Sequence, residues 1–232
     1  MQRIIAIDAS TEQASVALWA EGRVTERQFG AGPRQSERVL VGIDELLREA
    51  GIAPRQLDAI AVSIGPGAFT GVRLAIGVAQ GLAAAINRPV VPVSSLMALA
   101  TNGPVEQAPR HVLAVLDARM GEVYAGWFAV DGGRPTPIVP EIIGVAHALT
   151  KPDDVADYVV LGSGLREHEV AIVGAVGTPV AAFPDIGPSA AAVARIAASG
   201  LAGAGIPAVA VEPVYLRNKV ALTTAEREAA RG

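Results

Sequence analysis

The segment of this chain with the clearest chemical potential is rich in glycine and reads Gly65-Pro66-Gly67-Ala68-Phe69-Thr70-Gly71-Val72-Arg73. It follows a short β-branched run and precedes a periodic segment that ends at Ile86, for which Thr70 is the predicted N-cap. Glycine allows positive φ and close approach of another backbone, and such a loop at a helix N-terminus can cradle a phosphate. The spacing is neither the dinucleotide fingerprint nor the P-loop. Glycine content alone favours a structural turn and leaves a phosphate site open.

Metal and nucleophile chemistry find little support in the sequence. The three histidines, His111, His147 and His168, stand in separate segments without the spacing of a helical metal site, and are predicted to be surface or turn residues. The absence of cysteine removes disulfides, thiol nucleophiles and thiolate metal sites. No Gly-x-Ser-x-Gly elbow occurs, since Gly162-Ser163-Gly164 lacks the outer spacing. We therefore expect no bound metal and no Ser-His-Asp hydrolase site.

The composition and charge of the chain exclude several broad classes of protein. A chain of 232 residues could form one large domain or two small ones, and its 51% apolar content excludes disorder. No apolar run approaches the roughly 20 uninterrupted residues of a membrane span, and the start leads directly into a strand, so we expect a soluble cytoplasmic protein without membrane contact. A net charge of -4 predicts that contact with nucleic acid needs a more basic partner.

Alternating strands and helices are predicted for the first half of the chain. Three strands form an opening β-meander, and Ser36 is the predicted cap of an amphipathic helix that ends before Gly51. The predicted segments are strands 4–8, 14–20, 24–29, 59–64 and 90–93, with helices 36–50, 70–86 and 95–101. Asn102-Gly103-Pro104 marks the expected boundary of a first lobe, residues 1–103.

A faint repeat links the two halves. Ile5-Ala6-Ile7-Asp8-Ala9 precedes Trp19 much as Ala114-Val115-Leu116-Asp117-Ala118 precedes Trp127. This arrangement is similar to the duplicated core of the actin, sugar-kinase and Hsp70 (ASKHA) superfamily, which implies a two-lobed α/β fold with a β-meander and helices in each lobe. The second lobe is expected at 104–221, with its end free to pack back on the first lobe, followed by a polar tail at 222–232. It contains a predicted strand 158–161, a turn 162–164 and an alanine-rich helix 189–199.

Five ordered blocks of sequence resemble the TsaB family. They are Ile7 to Thr11, Gly65 to Leu82, Val93 to Leu96, Asp117 to Tyr124 and Pro213 to Arg217. In the family's first helix many members carry His where this chain has Gln35. The resemblance implies a non-catalytic scaffold that binds and activates the paralogue TsaD in the synthesis of N6-threonylcarbamoyladenosine at position 37 of tRNA. TsaE would join through TsaD and consume the ATP, and TsaC would supply threonylcarbamoyl-adenylate. The chain would contact tRNA only within the complex and form a homodimer when alone.

The resemblance also suggests roles for particular residues. Asp8, Ser10 and Thr11 look like the superfamily's first phosphate loop, which in a scaffold would be vestigial, although such residues also satisfy turn amides. Asp117 with Arg119 is a weak hint of a mirrored second loop. Compared with TsaD, Ser95 and Leu99 stand where that protein has metal-binding histidines. A leucine cannot ligate a metal, so the resemblance implies no catalytic centre and no cofactor, and leaves weak nucleotide binding open.

The helix predicted at 70–86 is the expected partner surface. Gly77 and Gly81 lie four residues apart on one face, and each costs up to about 1 kcal/mol of helix stability relative to alanine, which suggests that they serve close packing. That packing could be against the chain's own sheet or against a partner. In the resembled family this helix and the preceding one form a bundle with the same elements of the partner. The predicted interface comprises Leu40, Phe69, Val72, Arg73, Ile76, Gly77, Gln80 and Gly81.

Two other functions stay open at this point. One is an ATP-dependent phosphotransferase or ATPase of the same superfamily, which would need a complete adenosine and phosphate apparatus. The other is an M22-type metallopeptidase, which Ser95 and Leu99 disfavour.

Overall fold

A computed structural model describes residues 2–30, 32, 34–103, 111–200 and 203–217. Within these residues eleven strands and five α-helices alternate in two similar halves. The first half contains β1 (Ile4–Asp8), β2 (Ala14–Ala20), β3 (Arg23–Phe29), α1 (Gln35–Glu49), β4 (Ala59–Ser63), α2 (Phe69–Ile86), β5 (Val90–Val93) and α3 (Ser95–Thr101). The second contains β6 (His111–Arg119), β7 (Glu122–Asp131), β8 (Arg134–Pro137), β9 (Ile142–Val145), β10 (Val159–Leu161), α4 (Leu165–Val176), β11 (Ala181–Phe183) and α5 (Ala190–Ser199).

The two sheets repeat one topology. The first has the order β3-β2-β1-β4-β5, and the second has β8-β7-β6-β10-β11. Strand β9 pairs with the first residues of β7, whereas β8 pairs with its last residues. In each sheet the first three strands form an antiparallel meander and the last two run parallel to the first. Ile7 in β1 pairs with Val62 in β4, which brings Asp8 beside Ser63. This duplicated core confirms the predicted two-lobed actin-like fold class.

Helices cover both faces of both sheets and connect the two halves. Helices α1 and α2 pack on one face of the first sheet through residues such as Leu46 and Ala79. Its other face is covered by α5, whose alanines pack against Ala6 and Ala17, so this late helix belongs to the core of the first sheet. Helix α3 packs on the second sheet through Leu99. The halves therefore share helices across their junction.

The two predicted helix caps, Thr70 and Ser36, are wrong. Helix α2 begins at Phe69 with Ala68 as its N-cap, so Thr70 lies inside the first turn. Helix α1 begins at Gln35, before Ser36, and its N-cap residue makes no side-chain hydrogen bond. Ser189, predicted as the first residue of a helix, is the N-cap of α5, since its hydroxyl accepts from the backbone N–H of Ala192. The start of α2 is set by a tertiary contact of the glycine segment, described below, which local sequence preferences do not encode.

Several elements of the second half were not predicted. They are α4, β8, β9 and β11. The polar tail predicted at 222–232 and Pro104 of the predicted boundary lie outside the described residues.

Candidate functional site

The loop after β1 holds a buried carboxylate that the chain's own serines bind. Asp8 and Ser10 are both 1% exposed. The Ser10 hydroxyl donates to Asp8 Oδ1 over 2.8 Å, and the hydroxyl of Ser63 donates to the same oxygen. Thr11, which is partly buried, donates instead to the backbone oxygen of Gln13 over 3.2 Å. The predicted phosphate-loop residues are thus bonded to one another and to the backbone.

Burial makes ionisation of Asp8 unfavourable. Desolvation raises the pKa of this carboxyl above its ordinary value, and the hydrogen bonds from Ser63 and Ser10 offset only part of that effect. Asp8 Oδ2 is shielded from solvent and has no hydrogen-bond partner in the described part of the chain. A carboxyl in this setting suits a packing role better than the exposed, ionised group that would position a hydrated cation.

The glycine segment packs against this loop. The N–H of Ala68 donates to the backbone oxygen of Ser10 over 2.7 Å. A Cβ on Gly67 would lie closer than 3.0 Å to that same oxygen, and a Cβ on Gly71 equally close to the oxygen of Ala9. Glycine is required at both positions because another backbone approaches too closely for a side chain. The contacts of Gly67 and Gly71 with the loop after β1 therefore support the interpretation of this segment as a structural turn.

The C-terminal described segment runs along α2, from the glycine segment to Gln80. The N–H of Val214 donates to the oxygen of Ile64 over 2.8 Å, next to the glycine segment. Gln80 Nε2 donates to the oxygens of Ala208 and Val211 over 3.0 and 3.1 Å. Gln80 thus belongs partly to an internal contact, although it also lines the groove described below.

An aromatic and cationic stack stands at the first turn of α2. The Arg73 guanidinium lies 3.7 Å from the centre of the Phe69 ring, and its Nε donates to the hydroxyl of Tyr215 over 2.7 Å. Tyr215 was not among the predicted site residues, although the block Pro213 to Arg217 contributed to the resemblance. A groove of about 440 Å³ continues from this stack along α2, lined by residues that include Gly77 and Glu212.

The outer face of α2 is bare. A Cβ built on Gly77 or on Gly81 would meet no atom within 4 Å, so neither glycine packs on the chain's own sheet. Phe69 is 54% exposed on the same helix, and Leu40 on α1 is 55% exposed. A smooth strip beside large exposed apolar side chains is the surface a second helix could approach closely.

Two residues of the predicted interface must be removed from it. Val72 and Ile76 are 4% and 5% exposed, and both pack in the core between α2 and the first sheet. They lie on the inner face of the helix, opposite Gly77 and Gly81. The other predicted residues, Leu40, Phe69, Arg73, Gln80, Gly77 and Gly81, are exposed or partly exposed.

The positions expected to lack metal ligands are core positions. Ser95 and Leu99 are both 0% exposed, and Leu99 packs against the second sheet. Of the histidines, His147 is exposed, as predicted. His168 is partly buried and lies near Asp117 and Glu167, a grouping that the sequence did not indicate because about 50 residues separate the members.

By length and composition alone, α2 could cross a membrane, and it is the one such helix among the described residues. Because it connects the adjacent parallel strands β4 and β5, it must lie on their sheet, where Ala75 and Ala79 are fully buried. This is the packing of a core helix with one free face.

Comparison with known proteins places this geometry in a family. The family model described as TsaD, tRNA N6-adenosine threonylcarbamoyltransferase, matches residues 30–214. The Escherichia coli (strain K12) tRNA threonylcarbamoyladenosine biosynthesis protein TsaB is 36% identical over 240 residues, which cover 94% of this chain and 96% of that protein.

Two solved structures from Pseudomonas aeruginosa are also similar. YeaZ has a TM-score of 0.85 and 40% identity over 93% of this chain and 100% of its own. A protein described as uncharacterized, with similarity to peptidase YEAZ, has a TM-score of 0.87 and 39% identity over 94% of this chain and 100% of its own. The duplicated fold, the glycine segment and these similarities over nearly the whole length show that the chain belongs to the TsaB family.

Proposed function

We propose that this chain is a non-catalytic scaffold subunit in the cytoplasmic synthesis of N6-threonylcarbamoyladenosine in tRNA. Its family membership supports the pathway, since the Escherichia coli relative is named as a biosynthesis protein for this nucleoside. In this proposal the chain binds TsaD directly and TsaE through it, contacts tRNA only within the complex, and forms a homodimer when alone.

The observation that carries the scaffold role is the bare glycine face of α2. Gly77 and Gly81 interrupt a helix whose inner face is fully packed, and no part of the described chain uses the space above them. Glycine in a helix costs up to about 1 kcal/mol relative to alanine, so its presence here is best explained by a partner helix that needs close approach. The same face would serve the homodimer, so self-association and TsaD binding should compete.

The buried Asp8 supports a role without catalysis. The Asp8 carboxyl is buried, accepts hydrogen bonds from Ser10 and Ser63, and has a raised pKa, so it is not an exposed, ionised group. The chain then needs no cofactor of its own, and the ATP of the pathway is consumed by TsaE.

The test is a charge at the centre of the proposed surface. A stable interface buries about 1,600 Å² in total, and an unpaired charge inside it costs several kcal/mol. We expect Gly77→Glu to abolish both the homodimer and TsaD binding while leaving the fold intact, because a Cβ at this position meets no atom within 4 Å. Gly174→Glu is the matched control, since Gly174 is also an exposed helical glycine with nothing within 4 Å of an added Cβ.

Four measurements should be made together. They are sedimentation, circular dichroism, ATP turnover, and modified adenosine formed with TsaC, TsaD and TsaE. The natural chain alone should neither hydrolyse ATP nor modify tRNA, and it should restore modification when the partners are added. A folded Gly77→Glu variant that binds TsaD with natural affinity would show that the interface lies elsewhere. ATP turnover by the chain alone, lost in Asp8→Ala, would instead favour a phosphotransferase or ATPase.

A further inference from the structure

Three side chains with metal-binding atoms meet where β6 ends and α4 begins. Asp117 lies near the end of β6, and Glu167 and His168 lie in the first turn of α4. One ligand atom from each of the three residues lies within 4.8 Å of the other two. This cluster stands apart from the outer face of α2 and plays no part in the proposed scaffold role.

Backbone contacts hold the two halves of the cluster together. The N–H of Gly164 donates to the oxygen of Val115 over 3.1 Å, and the N–H of Asp117 donates to the hydroxyl of Ser163 over 3.3 Å. An added Cβ on Gly164 would press against the Val115 side chain, so this approach requires glycine. The start of α4 is therefore fixed to the end of β6, which places the three donors together before any ion binds.

His168 provides an independent observation. Its Nε2 is shielded from solvent and has no hydrogen-bond partner in the described ranges. A shielded ring nitrogen without a partner is unfavourable, because it loses its hydrogen bonds to water and no protein group replaces them. A metal ion bound by the imidazole would offset part of this cost, because it gives the ring a partner that the described chain does not supply.

Contrary to the sequence-based expectation of no bound metal, we propose that Asp117, Glu167 and His168 bind one divalent first-row transition-metal ion, with Zn²⁺ as the representative case. Two carboxylates and one imidazole suit Zn²⁺, Co²⁺ or Mn²⁺, whereas Mg²⁺ prefers oxygen ligands alone and should bind more weakly. Three protein ligands leave further coordination positions to water. The ion would clamp α4 to β6 in the second half of the chain.

The distances require one adjustment. Bonds of about 2.1 Å from a single ion place neighbouring ligands roughly 3–3.6 Å apart, so donors separated by up to 4.8 Å must close by about 1 Å. Glu167 is exposed and can move by a change of rotamer, whereas Asp117 is tied to the turn through its Oδ1, which accepts from the N–H of Arg119 over 2.8 Å. Glu167 is the residue expected to close the site.

Arg119 competes with the ion. Its guanidinium lies 3.2 Å from Asp117 Oδ2 and 3.4 Å from the carboxylate of Glu12, and its side chain is 73% exposed. An ion bound at Asp117 must displace or share this contact, which lowers the affinity. Removing the guanidinium should therefore tighten metal binding, the opposite of what removing a ligand should do.

Calorimetric titration of the tag-free chain with ZnCl₂ tests the site. We expect one ion per chain, and thermal melting should shift upward with Zn²⁺ and less with Mg²⁺. His168→Gln and Asp117→Asn should each weaken the affinity by at least about tenfold, since even outer-shell partners of metal ligands contribute that much. His147→Gln is the control, because it removes an exposed imidazole that is not part of the cluster, and it should bind as the natural chain does.

Arg119→Gln completes the design and should bind Zn²⁺ several-fold more tightly. Circular dichroism must show every variant folded, and the conservative Asn and Gln replacements retain a hydrogen-bonding group for that reason. No binding up to millimolar Zn²⁺, or equal binding by His168→Gln and the natural chain, would overturn the site. Unchanged or weaker affinity of Arg119→Gln, together with unchanged affinity of Asp117→Asn, would overturn Asp117 as a ligand and with it the proposed site.

Discussion

Two glycines six residues apart in α2 should respond to alanine with opposite signs. At Gly71 an added Cβ would lie closer than 3.0 Å to the backbone oxygen of Ala9, an atom that cannot rotate away. The helix start or the loop after β1 must move, and the hydrogen bond from the N–H of Ala68 to Ser10, 2.7 Å long, is strained or lost. At Gly77 the same methyl group meets open space.

The size of each effect follows from these contacts. Overpacking costs about 1–3 kcal/mol, a strained hydrogen bond about 0.5–1.5 kcal/mol, and the better helix propensity of alanine returns up to about 1 kcal/mol. We expect Gly71→Ala to lower the free energy of unfolding by about 1–3 kcal/mol. Gly77→Ala has only the propensity gain, so it should raise that free energy by about 0.5–1 kcal/mol.

The assay is urea unfolding followed by circular dichroism, with thermal melting as a second measurement. For a chain of this size each kcal/mol shifts the melting temperature by about 2–4 °C, which separates the two variants clearly. Protein concentration must be low enough to keep every sample monomeric, because a dimer would add stability that depends on concentration. A Gly71→Ala variant as stable as the natural chain would show that the glycine segment does not press on the loop after β1.

Two further predictions concern Asp8 and the helix caps. Because burial raises the pKa of Asp8, its contribution to stability is present below the ordinary value of 3.8 and is lost as pH rises through the raised pKa. The stability of the natural chain relative to Asp8→Asn should therefore fall as pH rises across that window, and a difference independent of pH in urea unfolding would contradict this. Ser189→Ala should cost about 1 kcal/mol by removing the cap of α5, whereas Ser36→Ala, which removes no cap, should change stability by less than about 0.5 kcal/mol; equal losses in melting experiments would contradict the structure.

The strands of the first sheet could be predicted from sequence to within about a residue because their signals are local. Runs such as Ile4–Asp8 are short, β-branched and bounded by turn residues, and all five residues of that strand are buried. The second half offers weaker local signals. Strand β11 has only three residues, Ala181–Phe183, and exists through its parallel pairing with β10. Helix α4 buries only Leu165, Ile172 and Val176, which is too sparse a pattern to reveal a helix.

The wrong interface predictions, Val72 and Ile76, have a different cause. The helix was correctly located, but the side that faces the sheet was not. Apolar residues occur around most of α2, so periodicity alone does not show which side meets the sheet. In the structure the contact of Gly71 with the loop after β1 fixes which side of the helix faces the sheet. Val72 and Ile76 lie on that buried side. Gly77 and Gly81 then point outward, as the partner hypothesis requires.

The same helix shows how its N-terminal end and its outer face differ in what they can bind. A glycine segment at a helix start can bind phosphate only if its amides and its space are free. Here the N–H of Ala68 is bonded to Ser10, the space at Gly67 and Gly71 is filled by backbone, and Val214 bonds to Ile64 at the edge of the segment. The N-terminal end of α2 is therefore used for internal packing. The free surface of the helix lies further along, where glycines with nothing above them are unfavourable for the isolated chain and become favourable once another helix packs on them.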